Sequence, residues 1–265
     1  MILKGLPVAE KIYASLVKDI AFLKQENLTP TLAIILVGED PASLTYVRAK
    51  EKRAQILEIN FKLMHFSGIV PESKILALID DLNKSQDVDG IVIQLPLPEG
   101  LDTDKILRKI HPDKDIDGFF SQRFTPPTAQ AIGEILKFYE IDLKNKKIVV
   151  VGYGRLVGKP LAKFFQKQGI KPVICTSNSD VASETADADI IVSATGIPGL
   201  IKPEMVSAKA IMIDGGTAES RGKIRGDVDP RVYAKVAAYT PVPGGVGPVT
   251  VACLMRNLIA AAKEH

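Results

Sequence analysis

The chain has 265 residues, of which 46% are hydrophobic and 25% charged, and its 34 basic and 31 acidic side chains leave a net charge of +3. So small a charge, with no polybasic stripe, argues against nucleic acid as the main ligand. Apolar runs such as LAIILV fall far short of the roughly 18 residues that would span a bilayer. The hydrophobic content is that of a globular chain rather than a disordered one, and the length accommodates two domains. At the N-terminus, MILKGLPVAEKIYASLVKDI is broken by Lys4, Pro7, Glu10 and Lys11, so it lacks the continuous core of a secretory signal and a cytoplasmic location is expected. Cys175 and Cys253 have no metal-ligand spacing and are expected to be reduced core residues.

From Thr31 onward, apolar runs alternate with helical stretches. TLAIILV is followed by a helix over residues 41–58, the strand FKLMHF, a helix over 72–83 and the strand GIVIQL. Such alternation predicts parallel strands joined by crossover helices. After the proline-rich joint TPPTA and a helix over 131–139, a second series begins: KIVVVG, a helix over 158–168, PVIC, a short helix, DIIVSA and AIMIDGG. The expected architecture is therefore α/β, with two such units in tandem. The chain ends in a Pro/Gly loop, TPVPGGVGP, and an apolar helix from about Pro248 that is expected to pack back on the first domain. The division is then residues 1–124, completed by 246–265, and residues 125–245.

Several residues suit chemistry. Tyr46 and Lys50 stand at i and i+4 on the first crossover helix, so they share a face one turn apart. They are either an acid-base pair or part of a solvated face that also carries Arg48, Glu51, Lys52 and Arg53. Gln94 ends a buried strand, where open α/β sheets place ligands, and Pro96 and Pro98 stop the strand behind it. It is a ligand contact or a turn amide. In HPDKDIDGF, Asp113, Asp115 and Asp117 alternate before Gly118, but no downstream glutamate completes a Ca²⁺ loop. This leaves a turn-forming role or a carboxylate that accepts N–H donors from a heterocycle, and no metal is expected. His65, His111 and His265 lack ligand or nucleophile spacing.

The stretch VVVGYGRLVGKP, residues 149–160, runs a β-branched strand into Gly152, Gly154 and Gly158 at the start of a helix. Free N–H groups and the helix dipole there favour a phosphate, although the spacing is one residue longer than the usual dinucleotide fingerprint. The other reading is a tight βα turn alone.

Together, TYVRAK, VDGIVIQLPLP, KDIDGF, VGKP and TPVPGGVGPVT occur in the order of the bifunctional methylenetetrahydrofolate dehydrogenase/methenyltetrahydrofolate cyclohydrolase family, which the chain resembles over nearly its whole length. The resemblance implies an N-terminal folate-site domain closed by the C-terminal helix, a Rossmann-like NAD(P)-binding domain with a parallel sheet, and a homodimer acting on tetrahydrofolate one-carbon derivatives. By position it makes Lys50 the catalytic lysine, Tyr46 the residue that stacks on folate and positions the lysine, Gln94 the lysine's partner and Asp117 the pterin-binding carboxylate. The cofactor-binding set is then Gly152, Tyr153, Gly154, Arg155, Ser177 and Thr217.

The departures from the family pattern gather on the cofactor side. Gly152-Tyr153-Gly154 stands for the usual Gly-Arg-Ser, Thr176-Ser177 for His-Ser, Pro126-Pro127-Thr128-Ala129 for Pro-Cys-Thr-Pro, Phe120 for a common histidine, and Gly215-Gly216-Thr217 for a valine-glycine-isoleucine ending. After PVIC come Thr176, Ser177, Asn178 and Ser179 before the first acid, Asp180. Without an acid to bind a ribose 2′-hydroxyl, NADP is expected over NAD. The alternatives are a monofunctional NAD-dependent dehydrogenase and a non-catalytic dinucleotide or folate sensor.

Overall fold

The computed structural model describes residues 1–264 apart from Gln122, Leu156, Thr217, Arg221 and Gly222. In chain order the elements are α1 (Gly5–Gln25), β1 (Thr31–Val37), α2 (Pro41–Ile56), β2 (Asn60–Phe66), α3 (Glu72–Lys84), β3 (Gly90–Ile93), α4 (Thr103–Arg108), α5 (Pro127–Phe138), β4 (Ile148–Val151), α6 (Gly158–Lys167), β5 (Val173–Cys175), α7 (Val181–Thr185), β6 (Ile190–Ser193), β7 (Ile211–Asp214), β8 (Ala218–Ser220), β9 (Lys223–Arg225), β10 (Ala238–Tyr239) and α8 (Val246–Ala262). None of the described helices is long and apolar enough to cross a membrane. The chain forms two compact units, Met1–Lys11 with Pro126–Cys253 and Ile12–Thr125 with Leu254–His265.

The unit containing Ile12–Thr125 is built on a parallel sheet of order β2-β1-β3. Central β1 is buried along its whole length. Ala33, Ile35 and Val37 face Ile75, Ile79 and Leu82 of α3, while Leu32, Ile34 and Leu36 are buried on the opposite face, as the two-residue period of a strand requires. Helix α8 belongs partly to this unit, as expected. A Cβ at Gly90 would lie 2.7 Å from Ile116 Cδ1 and 2.8 Å from Leu258 Cδ1, so α8 lies directly over the start of β3. Asn257 Nδ2 donates to Ile116 O at 2.8 Å, and Lys263 pairs with Asp19.

The other unit has a sheet of order β10-β7-β6-β4-β5, parallel throughout. β4 is flanked by β5 on one side and β6 on the other, so the chain reverses its winding direction between β4 and β6. Doubly wound sheets bind ligands beyond the carboxyl ends of such strands. Cys175 and Cys253 are both buried, as their apolar segments indicated.

Two features of the N-terminal segment were not read from the sequence. The N-terminal segment, read only as too interrupted for a signal, is the helix α1. Val8, Ile12, Leu16, Ile20 and Leu23 are buried at helical spacing, the interrupting lysines and Glu10 lie outside that stripe, and Pro7 sits in the first turn where proline is tolerated. Residues 1–11 also cluster with the second α/β series rather than the first. The cause is backbone bonding: Leu3 N donates to Tyr239 O and Gly5 N to Gly244 O, both at 2.8 Å. The glycines of TPVPGGVGP here admit Gly5.

A Cβ at Gly5 would stand 1.8 Å from Gly245 O, a backbone atom that cannot turn aside. Gly5→Ala is therefore expected to lower stability by about 1–3 kcal/mol, the usual cost of overpacking. A fall in the urea midpoint would register it, and an unchanged midpoint would show that this contact is not tight in solution.

Candidate active site

Helix α2 begins cleanly because Asp40 caps it, accepting from Ser43 N at 2.7 Å, and Pro41 occupies its first turn. Its buried residues are Ser43, Val47, Lys50 and Ala54. This is a helical stripe in which a lysine takes a place that periodicity would give to an apolar side chain. Lys50 is only 9% exposed. The solvated-face reading therefore fails for Lys50, while Arg48 remains exposed. Tyr46 is half-buried one turn earlier on the same helix.

Gln94 follows β3 and is also buried. Its backbone N–H donates to Ile35 O of β1 at 2.9 Å, which extends the sheet register by one residue. Its side-chain Nε2 donates to Leu95 O at 2.9 Å, leaving Oε1 to accept from Lys50 Nζ at 3.0 Å. Ser43 Oγ donates to the same Leu95 O, tying the first turn of α2 to the strand exit. The lysine and the glutamine, 44 residues apart, thus meet through one strand register and one helix face.

The three aspartates of HPDKDIDGF separate by role. Asp115 holds the loop, accepting from Phe119 N, Phe120 N and Ser121 N. Asp113 pairs with Arg123 at 2.7 Å. Asp117 lies beside the positively turned Gly118, whose N–H donates to Asp115 O. Burial raises the Asp117 carboxyl to about 6, with the charge of Lys50 opposing the rise and that of Asp115 adding to it. Part of its surface still meets solvent, so the effect comes from the protein packed around it rather than complete enclosure. Lys50 shifts in the complementary sense: burial lowers its pKa and the charge of Asp117 partly restores it. Lys50, Gln94 and Asp117 therefore form one electrostatic unit.

Sequence reasoning missed the supports of this group. Asn257, a buried amide in the apolar helix α8, donates to Ile116 O and to Thr125 O, bracketing the Asp117 loop. Lys114 is buried with Nζ donating to Leu82 O and Ser85 O, and its backbone O accepts from Ile91 N of β3. Neither stood out in the sequence, since Lys114 lies between two aspartates and Asn257 follows Arg256. Among the described residues no group of His, Cys, Asp and Glu could hold a metal ion. His65 instead contacts Gly38 O and Glu39, and His111 contacts Asp113.

In the other unit, β4 runs into Gly152, whose φ of +96° suits glycine. A Cβ there would lie 2.6 Å from Ala194 O, in the segment leaving β6, and one at Gly158 would lie 2.0 Å from Gly152 O. These two glycines close the turn tightly, whereas among the described residues nothing lies within 4 Å of a Cβ at Gly154. Val157, the residue before α6, makes no side-chain cap bond. A tight turn with open space at its tip and a helix N-terminus lacking that cap suits a pyrophosphate.

Tyr153 is 44% exposed, with Lys159 Nζ 5.6 Å from its ring centre, and Arg155 is half-buried on the same turn. Ser177 is exposed beyond β5. Asp180 caps α7 by accepting from Ser183 N at 3.1 Å. Thr217 lies outside the described residues.

The family profile "Tetrahydrofolate dehydrogenase/cyclohydrolase, catalytic domain" matches residues 3–117, and the corresponding NAD(P)-binding domain profile matches residues 126–265. The Bifunctional protein FolD of Bacillus licheniformis is 39% identical over 276 residues, covering 99% of this chain and 97% of the relative. Among solved structures, the bifunctional FolD dehydrogenase/cyclohydrolase of Campylobacter jejuni superposes with a TM-score of 0.92 at 37% identity, covering 100% of this chain and 99% of that one. The FolD enzyme of Trypanosoma brucei, solved with NADP cofactor and inhibitor, gives 0.93 at 31% identity, covering 100% and 97%. With both profiles matched in order and relatives aligned end to end, the chain belongs to the tetrahydrofolate dehydrogenase/cyclohydrolase family.

Proposed function

We propose that the chain oxidises methylenetetrahydrofolate to methenyltetrahydrofolate with NADP and hydrolyses the product to formyltetrahydrofolate, with Lys50, Tyr46, Gln94 and Asp117 as the working residues. The observation that supports this most is the buried Lys50–Gln94 hydrogen bond with the charge of Asp117 beside it. A bound nicotinamide dinucleotide supplies the hydride acceptor for the first reaction. Gly152, Gly154 and Arg155 would hold its phosphates, with Ser177 near the adenosine end.

For the oxidation, the protein's task is positioning, because the lone pair of the neighbouring folate nitrogen stabilises the developing cation. Asp117 serves that task as an acceptor for the pterin's amino and amide donors, and Tyr46 offers a ring on which the pterin stacks. Hydrolysis needs a group that takes a proton from attacking water and returns one to the departing nitrogen. Burial brings Lys50 toward the neutral amine, which can accept a proton, while Gln94 Oε1 fixes one Nζ hydrogen and so aims the lone pair. NADP suits the exit of β5 because Asp180 is engaged as a helix cap, leaving hydroxyl and amide groups there. The homodimer is part of the same proposal, with β2 an edge strand that exposes Leu63.

Lys50→Met is expected to reduce cyclohydrolase turnover by about 10² to 10⁴ while the fold persists. Methenyltetrahydrofolate hydrolysis at the parent rate would remove Lys50 from the mechanism.

Asp117→Ala should weaken folate binding about 10- to 100-fold in both reactions, the worth of hydrogen bonds to a charged group, and leave dinucleotide affinity alone. Because the acceptor is the ionised carboxylate and its pKa is raised to about 6, parental folate affinity should fall as pH drops through that value, and the variant should lack the step. Calorimetric titration at several pH values measures both, and an equal slope in the two proteins would exclude the pterin contact.

Arg155→Ala should raise KM for NADP roughly tenfold more than KM for NAD, since a guanidinium is well matched to a 2′-phosphate. Equal losses with both cofactors, or a parent that prefers NAD, would show that this turn does not read the phosphate.

A further inference from the structure

Beyond the turn itself, the unit with the five-stranded sheet contains a pair of buried carboxyls. Asp214 ends β7 and Asp227 follows β9, and both are at most 1% exposed. Asp214 Oδ1 accepts from Gly216 N at 3.0 Å and Asp227 N at 3.1 Å, and its Oδ2 accepts from Val228 N at 3.1 Å. Asp227 Oδ2 accepts from Ser193 Oγ at 2.8 Å and Thr195 N at 2.6 Å. Among the described residues no hydrogen bond reaches Asp227 Oδ1, although that atom is buried. The packing excludes any larger group: a Cβ at Gly216 would lie 2.0 Å from Asp227 Oδ1, and one at Gly226 would lie 1.9 Å from Asp214 Oδ2.

The segment that Asp227 holds, residues 193–195, is the one whose Ala194 O abuts Gly152. Ala194 N also donates to Val151 O at 2.8 Å. Asp214 fixes Asp227, Asp227 fixes the exit of β6, and that exit forms one wall of the glycine turn at the point where the sheet changes winding direction. We infer that Asp214 and Asp227 are positioning residues for the dinucleotide site, with Asp214 acting through Asp227 so that the protonation of Asp214 sets the affinity for a nicotinamide dinucleotide. The inference rests on the reading of the 152–158 turn as that site.

Burial, then the charge of Asp227, raises Asp214 to about 7, and the three backbone N–H bonds only partly offset this. Among the described residues the titratable groups facing Asp214 are Asp227 and the Tyr233 phenol. Burial and the charges of Asp214 and Tyr239 push that phenol up, so it stays neutral through this range. The sign follows directly. A raised carboxyl pKa favours the native arrangement at low pH and opposes it as pH rises through the folded value. Losing the Asp214 proton sets its charge beside that of Asp227 and works against the geometry that Asp227 imposes on residues 193–195.

NADH is the probe because it lacks a titrating 2′-phosphate. Its affinity, followed by fluorescence between about pH 6.5 and about pH 8.5, should fall about tenfold in the parent as one proton is lost. In Asp214→Asn it should stay at the tight-binding level throughout, and in Asp227→Asn the step should move to lower pH. A second measurement needs no dinucleotide and no variant: the backbone amide signals of Thr195 and Gly216, bonded to the two carboxyls, should titrate with a common midpoint near neutrality. Amide signals that stay fixed across this range, or the same affinity profile in the parent and Asp214→Asn, would overturn the positioning role. A parent that binds NADH at no pH while its amides titrate would instead overturn the dinucleotide reading, and the inference with it.

Discussion

The candidate site depends on a lysine side chain kept out of water. Lys50 occupies a buried helix position, where an unpaired charge is costly, and the protein meets that cost with one acceptor and one nearby charge, Gln94 Oε1 and Asp117. Much of the surrounding architecture serves to deliver those two groups. The Asp40 cap and the Ser43 tether fix how α2 enters, the register of β3 on β1 fixes Gln94, and Asp115 with Asn257 fixes the loop that presents Asp117. A lysine on an exposed face would need none of these supports and would have an ordinary pKa.

The contrast between Asp115 and Asp117 shows how one short stretch assigns different work to identical side chains. Asp115 faces three consecutive loop N–H groups and is spent on structure. Asp117, two residues on, is raised by burial and by its neighbour's charge, as a group kept available for a ligand would be. The same division recurs in the other unit. Asp180 and Asp229 cap a helix and a short helical turn, while Asp214 and Asp227 are buried against the exits of β6 and β7.

The sequence made the alternation of strands and crossover helices legible because buried strands and helix stripes leave different periods, and α2, α3 and α6 begin at the expected residues. The pairing of Lys50 with Gln94 was not legible from spacing, since no local rule relates residues 44 apart, and only the family resemblance brought them together. Helix α5 begins inside the supposed joint because Pro127 occupies its first turn, a position proline favours. Strands β8, β9 and β10 are two or three residues long, too short to leave a pattern. The acid pair at 214 and 227 escaped notice because IDGG and GDVD read as turn composition. Their meaning lies in which backbone amides the fold turns toward them.

Helix α8 has a further consequence for the order in which the protein can assemble. A ribosome releases β1, α2, β2, α3 and β3 first, yet Leu258 covers Gly90 and Asn257 braces the Asp117 loop from near the end of the chain. The earliest-made sheet therefore has to wait, with part of its apolar face uncovered, while the whole of the second sheet is synthesised. Domains emerging from the ribosome usually fold as they appear. Here the later-made unit can close before the earlier one, and Lys50 acquires its final surroundings only after α8 has been made.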